Sequence, residues 1–392
     1  MTARTVGDRV AYYRSAVRPP MTQWQLADAA NLSLGAVRKI ERGERSPSTE
    51  TLEALADALG VDPDQLLTDR GTAQTRVHAA LPALSAVLSA WDFPDDGPIR
   101  PLPAVRASVE EAEVWRLAAK YTPIARVLPG LLPELLRGFH SAAGADRQIW
   151  ATLLVRAARS ADAAAYKVGA RDLSARMIDM MRWVAPSAYD PLLESSVAYV
   201  RTETYFAAGT HTAGLHALEA AIDNSPSPDS APTSAARGAL HMRAAVIAGR
   251  AGNGAAAKLH LSEAQTLGDG VREDVYCGTA FGPDSVRIHE VSVAVSLGSA
   301  HAGRALDIAR EWKPPQGLPA ERRSGFYIEM ARAQLWAGRA DPAFESLKVA
   351  RRIAPQHTRQ HPWVRQDAAT LRRLKRSDSE ELTNFAEWCA AI

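Results

Sequence analysis

The chain has 392 residues, 46% of them hydrophobic and 23% charged, with a net charge of +2. This is ordinary globular composition, too long for one small domain and too nearly neutral for a general nucleic-acid coat. The start, MTARTVGDRVAYYRS, lacks the apolar core of a signal peptide, no run of about eighteen apolar residues exists, and Cys277 and Cys389 form no metal-ligand pattern, so a cytoplasmic protein without membrane span, metal or cofactor is expected.

Val6, Val10, Tyr13 and Val17 make an amphipathic first helix. Thr22 can cap a second helix, with Gln25 completing a capping box and Leu26 and Ala30 on one face. Asn31 suits a turn, Ser33 can cap a third helix from about Leu34 to Arg42, and Gly43 fits the left-handed position that ends it. After Pro47, Ser48 can cap a helix with the apolar stripe Leu52, Leu55, Ala56 and Leu59, ended by Gly60. Asp62, Pro63 and Gln65 write a further capping box, so five short helices fit residues 4–68. Residues 1–45 carry eight Lys/Arg against four Asp/Glu, whereas 46–69 carry six acids and no base. One basic face and one acidic face are expected.

Two short helices joined by a tight turn, followed by IERGERSP, resemble the helix-turn-helix of the Cro/repressor (XRE) family over about 65 residues. The resemblance implies double-stranded DNA as ligand. It implies that Gln23 contacts a phosphate, that Ser33 and Arg42 touch the backbone, and that Leu34, Gly35, Arg38 and Lys39 face the bases. Leu34 and Gly35 stand where the family often has polar base readers. Hydrogen-bonded readout then falls on Arg38 and Lys39, arginine on guanine being the commonest specific contact, with Leu34 free to touch a thymine methyl and Gly35 to admit the DNA backbone. The alternative is that Arg38 and Lys39 hold only phosphates.

A helix is expected from Gln74 to Trp91, its apolar positions Val77, Leu81, Leu84, Val87 and Leu88 serving dimerisation, docking onto the following domain, or simply packing as its first element. FPDDGPIRPLP, residues 93–103, reads as a connector. Helices near 102–120 and 122–139 then form a hairpin. Beyond it lie Gly169, Gly209, Gly252, Gly298 and Gly338, at intervals of 40, 43, 46 and 40, with Pro186, Pro226, Pro315 and Pro355 each seventeen residues after four of them. Glycine, helix, proline at fixed spacing describes a repeated helical hairpin. Small residues five and twelve positions after the glycine (Ala343 and Ala350, Ala257 and Ala264, Gly214 and Ala221) resemble the tetratricopeptide repeat; the units after Gly169 and Gly298 are degenerate.

The expected fold is all-α: a five-helix Cro/repressor-like domain (1–70), a helix and Pro-rich connector (71–103), and a TPR-like α-solenoid (104–392). The loop 224–233 is Pro/Ser-rich, and the basic stretch 351–376 reads as a solvated face, or as further DNA contact.

The first helices of the hairpins carry Arg156, Tyr166, Tyr199, Arg201, His241, Arg243, His289, Glu290, Tyr327 and Arg332, polar and aromatic residues suited to a concave groove. Between Val271 and Arg287 the repeat stops at VREDVYCGTAFGPDSVR, an irregular loop that could close over a ligand. Arg201, His241, Tyr276, Phe281, His289 and Tyr327 are the candidate effector residues. The C-terminal half, notably FGPDSVRIHEVSVAVSLG and ARRIAPQHTRQHPWVRQ, and with it nearly the whole chain, resembles actinobacterial XRE regulators with TPR-like C-terminal domains and, more distantly, peptide-responsive regulators of the Rgg/PlcR type. The resemblance does not fix an effector; the pairing of a DNA reader with a groove-forming domain leads us to expect a homodimeric transcription regulator on a palindromic operator, controlled by a small molecule or peptide. The rival reading is an adaptor whose solenoid binds a protein; a sensor should show a bounded pocket near Phe281 and His289, an adaptor an open apolar groove. An enzyme is not expected: GxxxxGK[ST], HExxH, GxSxG and CxxC are absent, and nothing in the sequence orients Cys277 towards His289.

Overall fold

The computed structural model describes residues 5–17, 19–61, 63, 66, 73–374 and 380–391. Four short helices open the chain: α1 (Val6–Ala16), α2 (Gln23–Ala29), α3 (Leu34–Glu41) and α4 (Thr49–Leu59). Each begins at a side-chain cap, Thr5, Thr22, Ser33 and Ser48, and those of α1 and α2 are full capping boxes. Asn31 and Gly43 take positive φ in the turns on either side of α3. Val10, Leu26, Val37, Ile40, Leu52, Leu55 and Leu66 close a core of their own, separate from the rest. The expected fifth helix, with its box on Asp62 and Gln65, lies largely outside the described residues; Pro63 and Leu66 are buried.

Helix α5 (Ala73–Ser89) packs on the solenoid through Val77, Leu84 and Leu88, all buried in its core. Its apolar face is therefore covered and is not left for dimerisation. The connector is pinned along the next hairpin by Arg100, whose guanidinium grips Glu134 at 2.7 Å.

The solenoid is a run of helical hairpins: α6 (Leu102–Leu117) with α7 (Tyr121–Ser141), α8 (Gly144–Lys167) with α9 (Arg171–Val184), α10 (Pro191–Ala208) with α11 (His211–Asp223), α12 (Ala231–Arg250) with α13 (Gly254–Asp269), α14 (Pro283–Ser296) with α15 (Ala302–Glu311), and α16 (Ala320–Trp336) with α17 (Ala340–Ile353). Helices α18 (Pro355–Gln360), α19 (Pro362–Leu374) and α20 (Glu380–Trp388) finish it. All five spaced glycines hold a left-handed φ between paired helices. The α6–α7 turn uses Ala119 there instead, at φ 56°, which is why no glycine marks this hairpin. Close helix contact explains the small residues: a Cβ on Gly214 would lie 2.4 Å from Ile247, and Ala257, Ala264, Ala343 and Ala350 are fully buried. In the unit after Gly298, a short 3-10 turn (Ser299–His301) shifts the pattern, so that Ala302 and Ala309 are buried while Gly303 is exposed.

Two expectations need correction. The stretch after Val271 is an antiparallel hairpin, β1 (Asp274–Tyr276) and β2 (Thr279–Phe281), with Tyr276 facing Thr279 across a Cys277–Gly278 turn in which both residues have positive φ. The basic stretch is only partly solvated: Arg359 is buried, and the Arg351 guanidinium sits 4.3 Å from the Trp388 ring. Lys375 and Arg376 lie outside the described residues.

The solenoid also meets itself. The Gln356 side-chain oxygen in α18 accepts from the backbone N–H groups of Tyr121 (2.7 Å) and Thr122 (3.2 Å) at the start of α7. The early hairpins thereby bond to the last ones across a shared interior.

Candidate DNA-reading surface and solenoid interior

Helix α3 buries Val37 and Ile40 and thereby turns Gly35, Arg38, Lys39 and Arg42 outward, all exposed. Among the described residues, the Arg38 and Lys39 side chains have no hydrogen-bond or ion-pair partner. Arg42 is tied to Glu44 at 3.2 Å. The Ser33 hydroxyl accepts from the Ala36 N–H at 3.1 Å, so its first task is to cap α3. A Cβ on Gly35 would meet nothing within 4 Å, so the fold does not require glycine there. Leu34 is half-buried against the domain core, which limits how far it can reach toward a base. Gln23 donates to Glu41 at 2.7 Å, and the same carboxylate is gripped by Arg14 at 2.6 and 3.0 Å. That network locks α1, α2 and α3 together. Trp24, beside Gln23, is 63% exposed; sequence periodicity does not single it out, because an outward aromatic on so short a helix leaves no pattern.

This unit rests on the solenoid through Lys120, 2.7 Å from Asp57, and Arg126, 3.8 Å from Glu53. The Lys120–Asp57 pair is solvent-exposed, a setting in which such a pair contributes about 1 kcal/mol or less, whereas Glu53 is half-buried, with its pairing oxygen out of solvent.

The solenoid interior is lined by the first helix of each hairpin and is strongly polar. Several charges are paired: Arg156 with Glu113, Lys167 with Glu321 at 2.6 Å, Arg243 with Glu203 at 3.8 Å, and Arg332 with Asp367 at 2.7 Å. Three guanidiniums are not. Arg116 (6% exposed) donates to the Gly278 carbonyl at 2.9 Å, and its Nε has no partner. Arg159 (8% exposed) donates at 2.6 Å to each of Ser196 Oγ, the Cys277 carbonyl and Thr279 Oγ1. Arg322 donates to Tyr199 Oη at 2.5 Å and lies 3.3 Å from His289 Nε2. Burial, together with the neighbouring Arg116, pushes Arg159 down to about 9. Burial and Arg322 hold the His289 imidazole well below its ordinary value, hence neutral. Tyr199 is lowered despite burial, because Arg243 and Arg322 face it. Burial raises Asp162 well above the usual carboxylate range, reinforced by Glu203. A buried ion without a direct counter-ion is costly, so three guanidiniums whose direct contacts are neutral oxygens and an imidazole, with Glu113, Glu203, Glu273 and Glu321 acting only at longer range, are an expensive arrangement.

The six candidate effector residues do not converge. His289 faces this interior. Phe281 is fully buried, its ring against Gly238, and is core rather than a contact awaiting a ligand. Tyr276 packs beside the same core and donates to the Arg272 carbonyl at 2.9 Å. His241 points between α12 and α13, its Nδ1 3.1 Å from His260 Nδ1, and does not face the interior cluster. Tyr327 is half-buried, edge-on to Phe326. Arg201 lines a cavity of about 260 Å³ between α9, α10 and α11, with Arg182, Glu194, Tyr205, Leu218 and Asn224; this cavity is not bordered by Phe281 or His289, where a bounded pocket was expected. Arg116, Arg159 and Arg322 escape sequence reasoning because each is one arginine among many. Their only sequence signal is polar residues at helical spacing within alanine-rich runs, as in Arg159, Asp162 and Tyr166.

Residues 21–66 match the family model described as Helix-turn-helix, the class that the capped α2–α3 pair defines. Over 57 residues the chain is 47% identical to the immunity repressor protein of Bacillus phage phi105, covering 14% of this chain and 38% of that protein. Over 62 residues it is 39% identical to the transcriptional regulator ClgR of Mycobacterium tuberculosis, covering 15% of this chain and 55% of that one. The chain thus spans about half or less of the length of these relatives. Among solved structures, the apo competence regulator ComR from Streptococcus vestibularis aligns over 98% of this chain and 97% of its own, at 14% identity and a TM-score of 0.31.

Proposed function

We propose that this chain is a sequence-specific, DNA-binding transcription regulator whose solenoid takes up a small molecule or peptide. The observation that carries the reading is α3: an exposed helix in a helix-turn-helix unit, bearing Arg38 and Lys39 free of partners among the described residues. The names of the aligned relatives, a repressor and a transcriptional regulator, support it. In this reading Arg38 and Lys39 meet base edges, Gly35 admits the DNA backbone, Leu34 contributes at most a methyl contact, and Gln23, Ser33 and Arg42 hold phosphates. Two copies act as a homodimer on a palindromic operator, with half-sites about one helical turn apart or a multiple of it. A ligand in the polar interior shifts the placement of the DNA unit by its differential affinity for two arrangements.

Selection of genomic fragments by the purified full-length protein at physiological salt tests the reading. A two-fold symmetric motif is expected, and Arg38→Ala should lose about 1–3 kcal/mol on that site while relaxing preference at one base pair. Salt-sensitive binding without any motif would sink sequence-specific regulation by this chain alone.

A further inference from the structure

We propose that Arg116, Arg159 and Arg322 form a receptor for the carboxylate of a ligand, and that the β1–β2 tip fills it in the present conformation with its own carbonyl oxygens. The proposal rests on the reading above only for its consequence at DNA, not for the binding itself.

Charge matching comes first. The neighbouring cations Arg156, Lys167 and Arg243 each have a carboxylate in ion-pair contact; these three have none in contact among the described residues, and Glu113, Glu203, Glu273 and Glu321 act on them only from farther off. Geometry comes second. A Cβ on Gly278 would lie 2.8 Å from an Arg116 nitrogen and 3.0 Å from an Arg159 nitrogen, so two guanidiniums close on one point. They are met there by the carbonyl oxygens of two consecutive residues, Cys277 and Gly278. Each guanidinium gives one N–H to a backbone carbonyl there, and a carboxylate would offer acceptor oxygens to both together with the negative charge that the carbonyls lack. The buried Arg116 Nε remains without a partner, so the tip leaves donor capacity unused. Arg322 and Tyr199 extend the donor set, since Arg159 and Arg322 both lie within 6 Å of the Tyr199 ring (5.8 and 5.9 Å). The tip is a small two-residue turn joining three-residue strands, with Cys277 itself exposed, so it can withdraw without unthreading a helix. Arg116 also sits one turn of chain before Lys120, whose ion pair with Asp57 seats the DNA unit. A ligand that replaces the tip at Arg116 acts on the α6–α7 turn carrying that contact.

The test uses the full-length protein without DNA, at constant ionic strength in chloride. Succinate, succinamide, inorganic phosphate, and N-acetyl-tetraalanine with either a free carboxylate or a C-terminal amide are titrated by calorimetry. Amide hydrogen exchange is followed across residues 274–281. The carboxylates should bind and speed exchange at the tip, and the amides should do neither. Arg159→Gln should weaken carboxylate binding by about tenfold or more, and Arg322→Lys, which keeps the charge but loses the fork, should weaken it too, whereas the exposed Arg352→Gln should not. Binding of succinate alone supports a free small acid as the source; binding of the peptide acid alone supports a chain terminus. Equal binding of acids and amides, phosphate binding as tightly as succinate with the tip closed, unchanged affinity in both arginine variants, or no carboxylate binding at all would overturn the proposal. A protein that selects an operator yet ignores carboxylates would lose only this inference; one that binds carboxylates with no change at DNA would keep the receptor and lose its control of the DNA unit.

Discussion

Phe281→Ala separates a ligand contact from a structural one. The Phe281 side chain is fully buried, and its ring approaches the α12 backbone so closely that a Cβ on Gly238 would lie 2.1 Å from it. Truncating a buried phenylalanine costs about 3–5 kcal/mol, the upper end applying where neighbours cannot relax into the void. Here the void is bounded by a helix backbone, so the loss should approach the upper end. Gly238→Ala inserts a methyl group into the same contact and should cost about 1–3 kcal/mol or more by overpacking. In the double variant the new methyl occupies part of the space the ring vacates, so the combined cost should fall short of the sum by about 1 kcal/mol or more. Urea unfolding followed by far-ultraviolet circular dichroism, read at the transition of the solenoid helices, measures all three. A loss under about 1 kcal/mol for Phe281→Ala, or strict additivity of the pair, would refute the core assignment and return Phe281 to the ligand-contact role.

Stability should climb from acid pH to a maximum near pH 6.5. Burial holds His357 down to about 3 and His241 down to about 4, each from 6.5, so the unfolded chain takes up their protons first as pH falls. Each contributes about 1.4 kcal/mol per pH unit between those limits. Glu329, raised by burial to about 7 from 4.5, and Asp162, also raised well above its ordinary value by burial, work oppositely, their folded forms preferring the proton; they temper the climb, and stability should decline between pH 6.5 and 7 once the histidines no longer titrate. Thermal melts from pH 4 to 8 should show this profile, and His357→Gln should flatten the acid limb; an acid limb unchanged in that variant would contradict a neutral buried His357. Ala119→Gly relieves the left-handed φ of 56°, about 1–2 kcal/mol, but empties a buried methyl site and loosens the unfolded chain by a similar amount, so stability should change by less than about 1 kcal/mol; a loss of about 2 kcal/mol or more in urea titration would argue against that turn geometry. Lys120→Glu places like charges beside Asp57 and should loosen the DNA unit, seen as faster proteolysis between residues 60 and 100 with the melting of the solenoid unchanged; resistance equal to that of the unaltered protein would mean the pair does not seat the unit.

The local signals were legible because each acts within a few residues. Thr22, Ser33 and Ser48 cap helices by bonding N–H groups three positions on, so the bounds of α2, α3 and α4 could be read from the chain. The five spaced glycines mark turns that need a left-handed φ, a requirement that likewise depends only on the backbone at that point. Where another residue tolerates the same conformation, as Ala119 and Cys277 do, the signal vanishes, and the β1–β2 hairpin was hidden for that reason. An irregular, glycine-bearing stretch reads alike as a ligand-closing loop and as a plug.

By itself the sequence determined the helical class, the capped helix-turn-helix, the hairpin repeat, and which helix of each hairpin lines the interior. Tertiary structure alone decided which of the 46 lysines and arginines, among the described residues, were left without an acid in contact. Arg159 and Cys277 are 118 residues apart, Tyr199 and Arg322 are 123, and Arg116 and Gly278 are 162. Those contacts depend on how many hairpins separate two residues and on the small rotation between each pair, quantities that no local pattern encodes. The same rotation brings α18 against α7, buries Phe281 and parts Arg201 from His289. Short-range rules set the elements; the accumulated superhelical geometry sets which charges face one another.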